Sequence, residues 1–285
     1  MSGFRHAAHD EEQCADEQAE IAASTEALRR GELPSSAKRR IDTLKELRNL
    51  AFTTGFGVGD FALARRYDVR PVAQVAGTCL VRAVRQDDVR ITRELRRPTQ
   101  AINRARWGAL EHVRAEARRL GAHLVTDVRI AATPYEWEAN LIGFEATGTA
   151  VRWADLPAMP RPCLTTLSVG ALAELRRAGY VPIGLVSVST IFFAKSVNRK
   201  PVNRELVGVS RGVYKARRIV MDAIGDQGRE LEASGVVDLT FQYEHEREGT
   251  AKRIGVRLTI HAVGTAIKEL DGAGDELSIA PVLSL

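Results

Sequence analysis

Two long segments of the chain, about 101–120 and 213–231, carry apolar residues at helical spacing. The apolar positions are Leu110, Val113, Ala117 and Leu120 in the first segment, and Met221, Ile224, Gly228 and Leu231 in the second. Both sets follow the i, i+3, i+7, i+10 pattern that lines one face of an α-helix. The chain is therefore predicted to contain two long amphipathic helices that bury equivalent faces.

Alternating patterns follow each predicted helix, after Gly121 and after Gly235, and indicate strands with one buried face. In the first half the alternating residues are Thr126, Val128 and Ile130, then Ile142, Phe144, Ala146, Gly148 and Ala150. In the second half they are Val237, Leu239, Phe241 and Tyr243, then Ile254, Val256, Leu258, Ile260, Ala262, Gly264 and Ala266. Upstream of each long helix, the pattern predicts a short helix (59–66 and 169–177) and a strand (72–83 and 183–194).

The two halves of the chain are copies of one module. A shift of 111 positions, from Val58 to Val169, pairs seven identical residues among the eighteen of 58–75 and 169–186. By the last strand the shift has grown to 116 positions, from Gly148 to Gly264, and the extra residues fall in a hairpin at 244–250. Insertions are tolerated in such surface turns.

The predicted fold class is α+β, with two tandem β-α-β-β modules whose helices pack on antiparallel sheets. The predicted boundaries are a polar N-terminal arm at 1–51, a first module at 52–156, a second module at 164–270 and a C-terminal tail at 271–285. Within the arm, a helical or disordered segment precedes a basic helix at 37–51. Each module has a thin core and edge strands that need cover, which favours docking between the copies and closure of a ring between chains.

Composition excludes several classes of protein. The chain is 45% hydrophobic and has no run of about eighteen apolar residues, so no membrane span is predicted. Its N-terminus lacks the apolar segment of a signal peptide. The cysteines are Cys14, Cys79 and Cys163, an odd number at scattered positions, which favours free thiols and a cytoplasmic location.

Charge divides the chain into an acidic arm and two basic segments at equivalent places in the repeat. Residues 1–33 carry eight acidic residues against three arginines. The segment 82–119 carries eleven arginines against five acids, and 195–218 carries eight basic residues against one acid. Candidate anion-binding residues are Arg90, Arg93, Arg96, Arg97, Lys195, Arg199, Lys200 and Arg204. With no aromatic residues among them, any nucleic-acid binding would be to phosphate, without sequence preference. A solvated face or a partner surface for the acidic arm are the alternatives.

Several segments together resemble the YbjQ family, in its tandem actinobacterial form. They are AR at 105–106, EARRLGA at 116–122, LV at 124–125 and TGTAV at 147–151, with AR at 216–217, LEASGVV at 231–237 and VGTAI at 263–267 in the second copy. The resemblance implies a β-α-β-β subunit that assembles into rings, pentameric in single-domain relatives. It implies no established reaction, although the family is labelled heavy-metal-binding.

Chemical motifs are scarce. The sequence contains no Cys-x-x-Cys, no pair of histidines at metal-binding spacing on a helix and no Gly-x-Ser-x-Gly elbow. Cys79, His123 and His245 are the weak metal candidates, Cys79 being alternatively a small core residue. His261 is expected to face solvent, because its equivalent in the first copy is Glu145.

The sequence therefore predicts a non-catalytic, self-assembling scaffold or binding protein of the YbjQ type. It implies no cofactor, and a metal ion would lack a recognisable ligand motif. The predicted partner is a second copy of the chain, with the N-terminal arm as a possible docking element for another protein. The alternatives are a metal or small-ligand module, and an anion- or nucleic-acid-binding protein.

Overall fold

The computed structural model describes residues 17–46, 54–82, 91–134, 141–154, 156, 159–195, 205–250 and 253–270. Its described helices are α1 (17–29), α2 (Ser35–Glu46), α3 (Val58–Arg66), α4 (Arg96–Arg119), α5 (Val169–Arg177) and α6 (Val207–Glu230). Its strands are β1 (Val69–Arg82), β2 (Arg93–Glu94), β3 (Leu124–Pro134), β4 (Leu141–Trp153), β5 (Cys163–Leu164), β6 (Tyr180–Lys195), β7 (Gly235–Thr250) and β8 (Arg253–Glu269). The predicted α+β class is confirmed. Within these ranges, every helix is too short or too polar to span a bilayer.

The repeat extends to details of the backbone. Helices α3 and α5, and likewise α4 and α6, are related by the same shift of 111 positions. Asp127 and its equivalent Asp238 both have a φ of 52°, in the left-handed region, at matching irregularities of β3 and β7. Gly121 and its equivalent Glu232 are also left-handed, with φ values of 67° and 54°. The two modules therefore share one backbone geometry and not only one pattern.

Two four-stranded sheets are linked by short exchanged strands. The first sheet has the order β1-β4-β3-β5, and the second sheet has the order β2-β6-β8-β7. Strand β2 comes from the first module's loop and pairs with β6, while β5 precedes the second module and pairs with β3. The first module thus lends β2 to the second sheet, and the segment leading into the second module lends β5 to the first sheet, which covers part of an exposed sheet edge in each.

Helix α4 lies between the two sheets, so the layers are α6, second sheet, α4 and first sheet. Leu110 of α4 belongs to one hydrophobic core with Leu185 and Ile191 of β6 as well as with residues of β1 and β4. The opposite face of β6 packs against α6. Strand β6 is consequently buried on both faces, whereas β1 alternates between buried and exposed residues.

This layering corrects the prediction that α4 and α6 bury equivalent faces. All four predicted positions of α4 are buried. In α6, Ile224 and Gly228 are buried, but Met221 and Leu231 are 43% and 39% exposed. The reason is that α4 has a sheet on each side and α2 packed near its end, whereas α6 has a sheet on one side and no described helix at its end.

Both long helices and the strands before them begin earlier than predicted. Strands β1 and β6 include Pro71 and Pro182, each at a shift of register, where a missing N–H is tolerated. Helix α4 begins at Arg96 and holds Pro98 in its first turn, the place in a helix where proline fits best.

The N-terminal arm docks on the first module. Ile41 of α2 is fully buried, and Arg40 forms an ion pair with Glu116 of α4. Asp42 accepts two hydrogen bonds from Arg119 of α4, at 2.9 and 2.6 Å. The observed α2 starts two residues before the predicted basic helix, and 47–53 lies outside the described residues.

Candidate functional site

Arg106 connects the two modules through their shared interior. It is 2% exposed, and it reaches from α4 into the second sheet. Its Nη1 donates to Ser187 Oγ at 2.8 Å, to the carbonyl of Val188 at 2.9 Å and to the carbonyl of Ala262 at 3.1 Å. All three hydrogen-bond acceptors lie on β6 or β8, so the guanidinium fixes α4 against the neighbouring module.

His261 completes this network. Its Nδ1 lies 2.6 Å from Arg106 Nη2 and 2.7 Å from Ser189 Oγ, and its Nε2 lies 3.6 Å from Glu244 Oε1. Burial lowers the pKa of His261, and Arg106 lowers it further, while Glu244 acts in the opposite direction. A neutral imidazole with its Nδ1 lone pair towards Arg106 fits these contacts.

The expectation that His261 faces solvent is wrong, because α4 covers the face of the second sheet that is exposed in the first sheet. The ring of Phe144 also meets the imidazole edge-on, at 5.7 Å between ring centroids. The sequence of β6 indicates that this strand is covered on both faces, because its residues from Val186 to Ala194 carry no charge. Uncharged runs of this kind are typical of strands buried on both faces.

The Arg106–His261 pair is suited to holding the modules together. Burial lowers the pKa of Arg106 to about 9, so the guanidinium is charged at neutral pH. Its Cζ lies 5.1 Å from the centroid of the Phe144 ring, a favourable position for a cation. The space beside the pair is about 20 Å³, which holds about one water molecule and no substrate.

Polar side chains of α4 also cover the free edge of β6. Asn103 accepts from the amide of Ser189 at 2.8 Å and donates to the carbonyl of Ser189 at 2.8 Å. Thr99 Oγ1 accepts from the amide of Ile191 at 2.9 Å. An edge strand is thereby paired with side chains in place of another strand.

The surfaces that form this junction exist twice in the chain, but the junction is made once. On α6, Ser210 and Tyr214 occupy the positions of Thr99 and Asn103, and Tyr214 is 73% exposed. On the first sheet, the outer face of β1 exposes Leu80, the equivalent of buried Ile191. One copy of each docking surface therefore remains uncovered by the described residues.

The weak metal candidates are not brought together. Cys79 lies on β1 against α4, His123 is exposed between α4 and β3, and His245 is exposed on β7. The described part of the chain contains no group of three residues that could hold a metal ion. Burial raises the pKa of Cys79, and it raises that of Cys163 to about 12, so both thiols stay protonated.

The described anion-binding candidates, Arg93, Arg96, Arg97 and Lys195, lie at one edge of the second sheet. Arg93 lies on β2 beside Phe193, and Thr92 Oγ1 accepts from the amide of Lys195 at 3.1 Å. Arg96 and Arg97 follow at the exposed start of α4. The two basic segments thus meet at one place, and their role in binding anions remains a prediction. Arg90, Arg199, Lys200 and Arg204 lie outside the described residues.

A cleft of about 760 Å³ opens between the modules on another side. Its walls are α4, the segment 159–164, the start of β6 and the end of α6. Trp107, Ile183 and Leu231 make its lining largely apolar, and Arg114, Glu230 and other charged residues surround them. No sequence motif indicated this cleft, because its walls come from separate parts of both modules.

Comparisons with known proteins find a distant relative. No family model matches the chain, so the resemblance to the YbjQ family remains a prediction. No solved structure matches it either. The chain is 27% identical over 247 residues to a protein of Mycobacterium tuberculosis named encapsulin nanocompartment protein Rv1762c. The match covers 82% of this chain and 92% of that protein, so it includes parts of both modules.

Proposed function

We propose that this chain is a non-catalytic scaffold that assembles with copies of itself, head to tail. The observation that carries the proposal is the junction between its two modules, whose two surfaces are each present twice but used once. A contact between two different surfaces of the same protein propagates, and it closes into a ring where the rotation allows. Each junction between chains would repeat the α4–β6 contact, with α6 of one copy on β1 of the next.

Charge complementarity supports this arrangement. Arg217 of α6 occupies the position of Arg106, and Glu145 of β4 occupies the position of His261. Both Arg217 and Glu145 are exposed, and Arg217 stacks at 5.4 Å over the ring of Phe241 within its own module. In a junction between copies, the guanidinium would meet a carboxylate in place of an imidazole. Such a pair joins two opposite charges and adds a Coulomb attraction that a neutral imidazole does not supply.

A second contact of the junction can be repeated in the same way. The amides of Asp127 and Val128 donate to the carbonyls of Leu167 and Thr165, both at 3.0 Å, across the boundary between the modules. The equivalent donors on β7 are Asp238 and Leu239, and the equivalent acceptors are Thr54 and Phe56. The described residues hold no counterpart of these two hydrogen bonds within one chain. A neighbouring copy would supply them by adding its segment to the edge of β7.

The relative in Mycobacterium tuberculosis supports the same class of function. Its name places it with a nanocompartment, which is a protein assembly. We extend that role to this chain as a cytoplasmic, self-assembling component of such an assembly. The YbjQ-type ring implied by the sequence resemblance is the form of assembly that the repeated junction favours.

Native mass spectrometry of the untagged protein tests the proposal. We expect a closed oligomer of the 31.2 kDa chain, with no further mass bound. Arg217→Glu and Glu145→Arg should each dissociate it, and the double variant should restore it, because the charges are then exchanged. Arg218→Glu, next to Arg217 and also exposed, is the matched control and should leave the oligomer intact.

A monomeric wild-type protein would reject assembly. Dissociation by Arg218→Glu as strongly as by Arg217→Glu would reject this particular junction. A reproducible extra mass that survives a chelating wash would favour the metal or small-ligand alternative.

A further inference from the structure

The cleft between the modules includes, on the side of the second module, the equivalent of the groove that binds the arm in the first module. Arg40 and Asp42 of α2 contact Glu116 and Arg119 at the end of α4. The residues equivalent to Glu116 and Arg119 are Gln227 and Glu230, and both line the cleft. The apolar positions correspond as well, because Val72 and Leu120, which share a hydrophobic core with α2, are equivalent to Ile183 and Leu231 in the cleft.

The two equivalent grooves differ in their occupancy. In the first module, α2 contributes Ala37, Ile41 and Leu44 to the core, and Leu120 is 4% exposed. In the second module no described helix occupies the groove, and Leu231 is 39% exposed. The second module has therefore kept a groove shaped for a helix and has left its apolar floor open.

We propose that this cleft binds an amphipathic helix of a partner protein. The apolar face of that helix would follow the i, i+4, i+7 spacing of Ala37, Ile41 and Leu44 in α2. This protein-binding site goes beyond the proposed self-assembly and does not depend on it, since the cleft is formed within one chain.

Charge in the cleft distinguishes the partner helix from the chain's own arm. Asp42 of the arm binds Arg119, but the equivalent of Arg119 in the cleft is Glu230, of opposite sign. The arm of a second copy would place Asp42 against this carboxylate and be repelled. Lys268 of the cleft already has a carboxylate partner in Glu232, whereas Glu230 has none among the described ion pairs. The partner helix therefore carries a basic residue where the arm carries Asp42.

Fluorescence anisotropy with two labelled peptides tests this proposal on the full chain. One peptide has the arm sequence 33–46, and the other has the same sequence with Asp42→Lys. We expect the Asp42→Lys peptide to bind about tenfold more tightly, the change that one charge-assisted contact produces. Trp107 lines the cleft, so its fluorescence provides a second readout.

Substitutions in the cleft decide the outcome. Glu230→Arg should reverse the preference towards the unmodified arm peptide, and Asp226→Arg, one turn earlier on α6 and exposed, should leave it unchanged. Binding of neither peptide, or a preference that Glu230→Arg does not reverse, would overturn the proposal. A chain ending at Leu270 should bind within about twofold of the full chain. Much tighter binding by that shortened chain would assign the cleft to the chain's own continuation and overturn the partner site.

The same titration on Arg217→Glu separates this proposal from self-assembly. Peptide binding should be the same for the assembled and the dissociated chain. Binding lost together with the oligomer would show that the cleft needs a neighbouring copy, and it would overturn a site formed within one chain.

Discussion

Replacing Arg106 with methionine should destabilise the chain by about 2–3 kcal/mol. The substitution removes hydrogen bonds to Ser187, Val188, His261 and Ala262, and each such bond contributes about 1 kcal/mol net, or about 4 kcal/mol together. Methionine keeps most of the apolar volume and relieves the cost of burying a charge. That cost is appreciable, because burial lowers the pKa of Arg106 to about 9, and it offsets part of the loss.

Urea unfolding followed by circular dichroism measures this effect. The Arg217→Glu background removes the proposed contact between copies, so dissociation of an oligomer does not add to the free energy of unfolding. Arg104→Met is the matched control, because Arg104 lies on the same helix and is exposed. A free energy of unfolding equal to that of the control would refute the assignment of Arg106 as the residue that holds the modules together.

Three further results are expected. Because burial lowers the pKa of His261, the folded chain binds fewer protons than the unfolded chain below pH about 6.5, and stability should fall as the pH drops through this range. His261→Gln should reduce this loss of stability below pH about 6.5. A dependence of stability on pH that the substitution leaves unchanged would contradict the role of His261. On α6, Gly225→Ala should stabilise by about 0.5–1 kcal/mol, since its Cβ meets open space. Gly212→Ala should instead destabilise, since its Cβ would lie 2.4 Å from Ala194 Cβ, and thermal melts that place the two variants together would reject this packing. If the basic edge binds anions, the affinity of the chain for a DNA duplex should fall steeply with salt. The affinity should also weaken when Arg93, Arg96 and Arg97 are replaced together, whereas an affinity that does not depend on salt would exclude such binding.

Local pattern predicted most of the fold. The repeat, the short helices, the long helices and the buried faces of β4 and β8 all follow from spacing that neighbouring residues set. Each of these elements buries a face against its own module, so a sequence window contains the relevant information. The positions of Leu110, Phe144 and Ile260 were predictable for this reason.

The errors arose where burial depends on packing between modules. Met221 and Leu231 have the same spacing as Leu110 and Leu120, but neither a second sheet nor a described equivalent of α2 covers them. The repeat predicts an exposed His261 because its equivalent, Glu145, is exposed, but α4 covers this face in the second sheet and leaves it open in the first. The periodicity of a single module gives no information about its neighbours. Identical patterns therefore led to different environments, and the candidate site lies where they diverge.

The linkage of two modules in one chain determines whether a closed assembly holds an even or an odd number of modules. Because both modules belong to one chain, a closed ring built by the repeated junction always contains an even number of them. Its rotational symmetry is half that number, with junctions inside chains alternating with junctions between chains. The junction inside a chain forms at the high effective concentration of a tether, so an uncharged His261 suffices there. The proposed junction between chains has no tether, so its stability would depend on the Arg217–Glu145 pair and hence on ionic strength.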